Sequence, residues 1–329
     1  MTGSPPARPE SGDGKGTSSV PDLRELGPLR PSSVPAAALA DASPRRYSGG
    51  MKGIIIAAGY GTRFLPVTKT IPKEMLPILT RPSIAYVLDE FVASGIEDVV
   101  VVTSRRKKVL DDYFDREVEL EEIFRREGRA DKLALIAPPR LKVAFVRQAE
   151  MRGTGHALLM AAPLLGGEPA VVAYPDDLHV GNPPLARQLI ETWERTGCSV
   201  LSTMHESGDV SRYGVVDPAP DGVHLKGFVE KPGKGTEPSH DISLGRYLYT
   251  PEFFDYLAEG WKSHGAGEYY HTGALDRLIA EGKVAYRRVE GTRLDTGEPS
   301  GYLEAILGAA WDDPSLRPVV ERFVASRTA

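Results

Sequence analysis

The stretch "MKGIIIAAGYGTRFLPVTKTIPKEMLP", which begins at Met51, constrains the fold of this chain more than any other. Its continuously apolar part, residues 53–58, predicts a strand that is buried on both faces of a parallel sheet. Gly59 and Gly61 follow directly, and backbone N–H groups at glycines can approach a ligand and form an anion-binding nest. We therefore expect a binding loop at the carboxyl end of a central strand, where open α/β sheets bind ligands. A tight turn from strand to loop explains the two glycines equally well.

The residues after these glycines indicate that the ligand is rich in phosphate. Arg63, Lys69 and Lys73 lie within 15 residues of the strand end, and prolines separate them. Prolines stiffen the loop, so its cations are held in place at a low ordering cost on binding. The loop matches neither the G-x-G-x-x-G dinucleotide fingerprint nor the P-loop pattern. A solvated basic loop is the alternative interpretation.

Strands and helices alternate through the first two thirds of the chain after residue 50. This alternation predicts an α/β fold with a Rossmann-like, doubly wound, mostly parallel mixed sheet. After Tyr213 short strands follow one another closely, which predicts a small antiparallel portion, and the chain ends in helices. The predicted strands are 53–58, 97–103, 141–148, 170–174, 198–204 and 284–290, and the predicted helices are 83–95, 107–114, 185–196, 251–258, 269–281, 300–311 and 318–326, with another that begins at Gly153.

The first fifty residues differ in composition from the rest. They contain 8 Pro and 7 Gly, and Tyr47 is their only aromatic residue. Such a segment cannot bury enough apolar surface to offset its chain entropy, so we expect a disordered tail over 1–50 and one domain over 51–329. An upstream misassignment of the start, with Met51 as the true first residue, is an equally open interpretation.

Composition bounds the class of protein. A formal net charge of −5 gives no global attraction for nucleic acid or for an anionic membrane. The single cysteine, Cys198, fits a reducing compartment, and no apolar run approaches the roughly 18 residues of a spanning helix. We expect a cytoplasmic protein whose partners are small molecules.

Seven further motifs follow the loop in order: "VRQAEMRGTGHALLMA", "YPDD", "YGVVD", "FVEKP", "LGRYL", "AGEYYHTGAL" and "LDTGEPSGYLEA". Together with the loop they resemble the sugar-nucleotide pyrophosphorylases, a nucleotidyltransferase family, and most closely its bacterial UTP–glucose-1-phosphate uridylyltransferases. The resemblance covers nearly all of 51–311 and leaves out the tail. It implies a glycosyltransferase-A-like fold and, as in many relatives, a homodimer or homotetramer.

The resemblance also implies a reaction. A nucleoside triphosphate and a sugar 1-phosphate would give a nucleoside diphosphate sugar and pyrophosphate, by direct in-line displacement with Mg²⁺. UTP and glucose 1-phosphate are the expected substrates, and dTTP or a different hexose stays an alternative. The chain shows no Ser, His or Cys nucleophile constellation, which agrees with direct transfer.

By resemblance, two groups of residues hold the nucleotide. Arg63 and Lys73 would bind its phosphates, because a guanidinium fork and an ammonium group both suit phosphate oxygens. Gln148 would offer an amide to a pyrimidine edge, although in isolation it would be interpreted as a solvent-facing strand end. The complete nucleotide-binding set beside the two cations is Ala57, Ala58, Gly59, Gly61, Gln148, Gly153 and Gly155.

Two carboxylates match the metal-binding positions of the family. Asp176 ends an apolar strand and Asp295 stands in "LDTG", and carboxylate and phosphate oxygens together suit Mg²⁺. Asp177 is the alternative ligand, and an isolated "PDD" is more often a turn.

The motif "VEKP" matches the sugar end of the family's site. Glu230 would take sugar hydroxyls, Lys231 the sugar-linked phosphate, and the backbone of Gly214 would pass close to the sugar ring. For a bare Glu-Lys pair, an exposed ion pair at a strand end is the alternative interpretation.

The segment "AGEYYHTGAL" departs from the family pattern. Gly273 stands where relatives carry an acid, and residues 269–271 replace mostly aliphatic and amide residues. This departure puts the sugar and the assembly in doubt. It also leaves open a regulatory protein that binds a sugar nucleotide without catalysis.

Overall fold

The computed structural model of the chain describes residues 50–328, so the tail predicted over 1–50 lies outside the described residues apart from Gly50. The strands of the described part are β1 (Lys52–Ile56), β2 (Pro77–Ile78), β3 (Arg81–Pro82), β4 (Asp98–Thr103), β5 (Lys142–Arg147), β6 (Ala170–Ala173), β7 (Asp177–Val180), β8 (Ser199–His205), β9 (Gly214–Pro218), β10 (Leu225–Glu230), β11 (Asp241–Tyr249), β12 (Val284–Arg288) and β13 (Thr292–Asp295). Its helices are α1 (Ser83–Ala93), α2 (Lys108–Phe114), α3 (Val118–Arg126), α4 (Ala130–Leu135), α5 (Gly153–Ala161), α6 (Leu185–Thr196), α7 (Pro251–Ser263), α8 (Thr272–Ala280), α9 (Pro299–Asp312) and α10 (Arg317–Thr328).

The largest sheet begins with four parallel strands in the order β5-β4-β1-β6. Strand β11 pairs antiparallel with β6, and beyond it the sheet branches to β8 with β12 and to β9 with β10. Every strand of this sheet except β11 and β10 points the same way. The predicted mostly parallel mixed α/β sheet is therefore confirmed, and its antiparallel portion continues the main sheet.

The core lies on both faces of this sheet because side chains alternate along a strand. On β1, Ile55 belongs to an apolar cluster with α1 and α6, whereas Ile54 belongs to a second cluster with α5, α7 and α8. Both isoleucines are fully buried. The continuous apolar run at 53–58 thus has the two-faced burial that its sequence predicts.

Two helix predictions need correction. The helix predicted over 251–258 continues to Ser263, and the helix predicted over 269–281 begins only at Thr272. Tyr269 stays outside the helix because its backbone bonds to the start of α5: its N–H donates to the carbonyl of Arg152 at 2.7 Å. Its hydroxyl donates to the carbonyl of Leu257 at 2.7 Å, which fixes the segment against α7.

A short ribbon of β7 and β13 was not predicted. The strands pair antiparallel with Asp177 opposite Asp295. Each strand has only four residues, too few for a clear alternation of polar and apolar side chains. This pairing brings the "PDD" and "LDTG" motifs together. No helix within the described part of the chain is long and apolar enough to cross a membrane.

Candidate active site

The order of the parallel strands sets the layout of the site. The N–H of Ala57 donates to Val102 at 2.8 Å and that of Gln148 to Thr103 at 2.9 Å, so β1, β4 and β5 end at one edge. Asp176 follows β6, on the other side of β1. Gln148 follows β5 and Asp176 follows β6, and these two strands are separated by three strand-to-strand steps of about 4.8 Å, a distance of about 14 Å across the sheet.

The loop after β1 is fixed by its own hydrogen bonds and by α9. Gly61 has φ +67°, in the left-handed region that favours glycine, and its carbonyl accepts a hydrogen bond from Thr68 Oγ1 at 2.7 Å. Phe64 packs edge-to-face on Tyr302 at 5.6 Å, and the Tyr302 hydroxyl donates to the carbonyl of Pro77 at 2.7 Å. The loop is therefore held by a hydrogen bond of its own and by contacts with Tyr302 of α9.

The start of this loop leaves its first glycine, Gly59, open to a ligand. Ala57 and Ala58 are buried, whereas Gly59 is exposed. A Cβ at Gly59 would meet no atom within 4 Å. Space for a ligand against the backbone is therefore present beside Gly59.

Lys73 forms an ion pair with Asp176, by donating from Nζ to Oδ2. Burial opposes the charged form of Lys73, but the nearby carboxylates of Asp176 and Glu74 together outweigh it and raise the pKa of the lysine. Burial likewise opposes the charged form of Asp176, and Lys73 nevertheless lowers the pKa of this carboxyl. Both groups are therefore charged at neutral pH, and the pair joins the loop to the end of β6.

The neighbouring Glu74 is fully buried, and both of its carboxylate oxygens lie 2.7 Å from Nζ of Lys107. Lys107 precedes α2, after the end of β4, and is itself 5% exposed. This pair fixes the backbone beside Lys73. Sequence reasoning missed both residues, because nothing in the sequence indicates that two residues 33 positions apart meet.

Two carboxylates converge where the β7–β13 ribbon begins. Both the N–H and Oγ1 of Thr296 donate to the carbonyl of Asp176, at 2.8 and 3.0 Å. A Cβ at Gly297 would lie 3.2 Å from Asp176 Oδ2 and 3.3 Å from Asp295 Oδ1. The glycine thus leaves a small cradle between two carboxylate oxygens, and we call this space the Gly297 cradle.

The Gly297 cradle suits a hard cation that retains other ligands. Among residues 50–328 no group of three or more His, Cys, Asp or Glu side chains is arranged to hold a metal ion. Mg²⁺ is usually bound through one or two carboxylates together with substrate phosphates and water. Asp176 and Asp295 therefore fit Mg²⁺ in the presence of a phosphate-bearing ligand.

Asp177, the alternative ligand, is engaged elsewhere. Arg293 donates to both of its carboxylate oxygens, at 2.8 and 3.0 Å, and the N–H of Gly245 donates to Oδ2 at 2.8 Å. Arg293 also reaches Asp295 Oδ2 at 3.3 Å. Of the two neighbouring aspartates, Asp176 is the one that borders the Gly297 cradle.

Arg63 lies at the rim of the same cradle. Its Nη1 donates to the carbonyl of Gly297 at 3.3 Å, and its Nε lies 3.8 Å from Glu298 Oε1. The side chain is 63% exposed, so most of the guanidinium is open to a ligand. The structure thus brings together four predicted site residues: Arg63, Lys73, Asp176 and Asp295.

Gln148 is 3% exposed, so the alternative interpretation as a solvent-facing strand end is wrong. Its amide Nε2 lies 3.0 Å from the carbonyl oxygen of Gly153 and 3.1 Å from Nδ1 of His156. The amide is therefore held on one side by the start of α5. His156 was not singled out from the sequence.

The glycines at the start of α5 pack against protein backbone. A Cβ at Gly153 would lie 2.6 Å from the carbonyl oxygen of Tyr269, and one at Gly155 would lie 2.8 Å from the carbonyl carbon of Tyr270. The atoms closest to these two Cβ positions therefore belong to the 269–270 segment of the protein.

The sugar-side residues form a second group, at the paired ends of β9 and β10. Gly214 lies opposite Glu230, and a Cβ there would lie 2.4 Å from Cζ of Phe228. The nearest Lys231–Glu230 charged atoms are 3.9 Å apart and both side chains are exposed, as an exposed ion pair would be. Lys231 has φ +51°, a conformation that costs a lysine free energy and is enriched at functional sites.

Arg293 connects the two groups. Besides its contacts with Asp177 and Asp295, its guanidinium stacks over the ring of Tyr213 at 5.1 Å. The carbonyl of Tyr213 accepts a hydrogen bond from the N–H of Lys231 at 3.0 Å. No sequence signal marks this role, because an arginine inside "TRLD" is an ordinary strand residue.

This chain is similar to known proteins over most of its length. The Nucleotidyl transferase family model matches residues 52–310. A UTP–glucose-1-phosphate uridylyltransferase of Staphylococcus epidermidis is 40% identical over 280 residues, which are 83% of this chain and 96% of that protein.

Solved structures give the same result. A UDP-glucose pyrophosphorylase in complex with UDP-glucose is 35% identical, with a TM-score of 0.67 over 78% of this chain and 97% of that one. A UTP-bound UDP-glucose pyrophosphorylase from Acinetobacter baumannii is 31% identical, with a TM-score of 0.74. The match covers 84% of this chain and 98% of that one. The family resemblance of the sequence motifs is confirmed, and the chain belongs to the nucleotidyl transferase family.

Proposed function

We propose that this chain transfers the uridylyl group of UTP to glucose 1-phosphate, with UDP-glucose and pyrophosphate as products. The observation that carries the proposal is the convergence of Arg63, Lys73, Asp176 and Asp295 at the Gly297 cradle. Two cations and two carboxylates at the end of a parallel strand suit a triphosphate with its counterion. The similarity to uridylyltransferases over 83% of the chain supports uracil as the base and glucose as the sugar.

In the proposed reaction an oxygen of the sugar phosphate attacks the α-phosphorus of UTP, and pyrophosphate leaves from the opposite side. The attacking phosphate is already ionised, so the reaction needs no general base. Catalysis then consists of positioning and of stabilising charge on the transferring group. Arg63 and Lys73 bind phosphate oxygens, and Asp176 holds Lys73 in place before the nucleotide arrives.

Asp176 and Asp295 are the proposed Mg²⁺ ligands. Bound there, Mg²⁺ would neutralise phosphate charge and orient the triphosphate. Arg293 pairs with Asp177 beside them, so this third carboxylate is engaged by the protein. The proposal requires no further protein ligand.

The remaining predicted residues are assigned to the two ends of the substrate. Ala57, Ala58, Gly59, Gly61, Gln148, Gly153 and Gly155 form the nucleotide end, of which Gln148 is the proposed base reader. Gly214, Glu230 and Lys231 form the sugar end, where Lys231 takes the sugar-linked phosphate. We further propose that the enzyme works in the cytoplasm as a homodimer or homotetramer.

The test is pyrophosphate release by the purified chain with Mg²⁺. UTP, dTTP, CTP, ATP and GTP are each combined with several hexose 1-phosphates. A single strong rate for UTP with glucose 1-phosphate is the expected result. A strong rate for dTTP or another hexose would keep the mechanism and replace the substrate.

The same assay separates catalysis from regulation by binding alone. Gly273, which replaces an acid of the family, lies in the first turn of α8 with no atom within 4 Å of its Cβ position. If no substrate pair releases pyrophosphate while UDP-glucose still binds, the chain is a sugar-nucleotide-binding regulator and the enzymatic proposal is wrong.

A further inference from the structure

We propose that His156, together with the carbonyl of Gly153, selects the base of the nucleotide by fixing the orientation of the Gln148 amide, so that Gln148 meets the base only as a hydrogen-bond acceptor. This inference rests on the proposed function. It adds a positioning residue, and it predicts which nucleotide bases the site accepts. It is carried by the contacts of one amide group.

The first contact decides which end of the amide points where. The nearest partner of Gln148 is the carbonyl oxygen of Gly153, 3.0 Å from Nε2. A carbonyl oxygen can only accept, so the NH₂ end of the amide must lie on this side, and the reverse orientation would face oxygen with oxygen. The carbonyl cannot turn away easily, because Gly155 donates to Tyr269 at 2.8 Å and Tyr269 donates to Arg152 at 2.7 Å.

The second contact uses the other amide hydrogen. Nδ1 of His156 lies 3.1 Å from Nε2 of Gln148. An amide nitrogen does not accept hydrogen bonds, so Nδ1 must accept, and the imidazole must be neutral with its proton on Nε2. Burial lowers the pKa of His156, which favours the same neutral form.

The imidazole is held in place by stacking. Its ring lies 4.8 Å from that of Trp261, at an interplanar angle of 25°. The guanidinium of Arg152 lies over the same tryptophan at 4.5 Å, and Arg152 donates to the carbonyl of Gly265 at 2.7 Å. The acceptor that Gln148 meets is therefore part of a packed cluster of α5 and α7.

Both amide hydrogens of Gln148 are thus used inside the protein, and only its oxygen Oε1 is left to contact a base. Within residues 50–328 Oε1 accepts no hydrogen bond. Uracil and thymine present an N–H donor at N3, and guanine presents one at N1, whereas cytosine N3 and adenine N1 are acceptors. Placed opposite this ring nitrogen, an acceptor-only Gln148 favours UTP, dTTP and GTP over CTP and ATP, whose ring nitrogen would face Oε1 without a hydrogen.

The experiment compares two substitutions at one position. His156→Phe keeps a flat ring for Trp261 and removes one of the two acceptors that hold the NH₂ group of Gln148. The carbonyl of Gly153 then holds this group alone, so the amide is fixed less firmly and can turn its NH₂ group towards cytosine. His156→Asn places a side-chain oxygen near the position of Nδ1 and restores the acceptor. We expect the ratio of kcat/KM for UTP over CTP to fall at least tenfold in His156→Phe, and to return towards the wild-type ratio in His156→Asn.

His264→Phe is the matched control, because His264 stacks on Trp261 at 5.6 Å and makes no contact with Gln148. It should leave the ratio unchanged. Because the ratio is independent of the fraction of folded protein, loss of stability alone cannot produce the expected result. An unchanged ratio in His156→Phe, or an equal fall in His156→Asn, overturns the inference.

Failure of the proposed function gives a different result. If the wild-type chain turns over no nucleotide, titration calorimetry of UTP and CTP on the same variants takes the place of kinetics. A preference for UTP that disappears in His156→Phe and returns in His156→Asn still supports the inference. Equal affinities of the wild-type chain for UTP and CTP overturn it.

Discussion

Glu74 and Lys107 form a buried ion pair directly beside the catalytic lysine we propose, with each Glu74 oxygen 2.7 Å from the Lys107 ammonium nitrogen. Glu74 belongs to the loop after β1 and Lys107 to the turn that follows β4. The pair therefore joins the phosphate-binding loop to the neighbouring strand and fixes the backbone from which Lys73 extends. Its removal should affect stability and the position of Lys73 together.

Lys107→Met should lower the free energy of unfolding by about 3–5 kcal/mol, because it leaves the Glu74 carboxylate buried and unpaired. The double variant Glu74→Met/Lys107→Met should lose much less, since no unpaired charge remains. Denaturant unfolding measures both, with Lys108→Met, an exposed neighbour, as the control. Single and double variants of equal stability would contradict the assignment.

Asp176 and Asp177 should separate into two roles. Asp176→Asn should abolish Mg²⁺-dependent binding of UTP, measured by calorimetry, because it removes one of the two carboxylates at the Gly297 cradle. Asp177→Asn leaves Arg293 with a weaker partner and should lower the free energy of unfolding by about 1–3 kcal/mol. Mg²⁺ affinity that survives in Asp176→Asn and is lost in Asp177→Asn would reverse the two roles.

Gly297→Ala should weaken the metal site with little loss of stability. The added methyl group would lie 3.2 and 3.3 Å from the two carboxylate oxygens and would occupy the space of the cation. We expect the Mg²⁺ concentration for half-maximal activity to rise about tenfold or more. Gly273→Ala is the control: its methyl group meets no atom, and it should stabilise α8 by up to about 1 kcal/mol. A normal Mg²⁺ requirement in Gly297→Ala would argue against the cradle.

Arg63→Ala should lower turnover about 10²–10³-fold, as the loss of one charge-stabilising group does in other enzymes. The melting temperature should stay within about 2 °C, because the side chain is mostly exposed. Arg140→Ala changes an exposed arginine at the amino end of β5, away from the site, and should retain full activity. A large fall in melting temperature in Arg63→Ala would indicate a structural arginine.

His271 should make the free energy of unfolding depend on pH below about 6.5. Burial lowers its pKa to about 4, so the unfolded chain takes up a proton at higher pH than the folded chain does. The free energy of unfolding should therefore fall as pH falls from about 6.5 to about 4, by on the order of 3 kcal/mol from this group. Urea unfolding at pH 7, 5.5 and 4 measures the slope. The free energy of unfolding of His271→Gln should depend less on pH than that of the wild type. Parallel slopes for the two proteins would exclude His271 as the origin of the pH dependence.

The sequence predicted the framework of the fold well, because its signals are local. The apolar run at 53–58 and the helix over 185–196 each carry their own periodicity, and the structure places both as expected. The β7–β13 ribbon and the late start of α8 depend on contacts between distant segments. Tyr269 leaves the helical pattern only because the start of α5 offers its backbone a partner.

The site was predictable as a set of residue types and less so as an arrangement. The ordered sequence motifs identified four site residues whose side chains do converge in the structure: Arg63, Lys73, Asp176 and Asp295. The residues that orient this set, such as Lys107 and Arg293, contact partners 33 and 116 positions away, and no spacing signals such contacts. For the same reason, the sequence did not indicate that the glycines of α5 pack against the backbone of residues 269–270.

The strand order has an evolutionary consequence. Two strands, β4 and β1, stand between the end of β5, which carries Gln148, and the end of β6, which carries Asp176. Substitutions at positions this far apart act almost additively, since they share no partners. Selection can therefore change the preferred base at one end of the sheet without disturbing the charged groups at the other, and a single scaffold can give rise to enzymes that use different nucleotides.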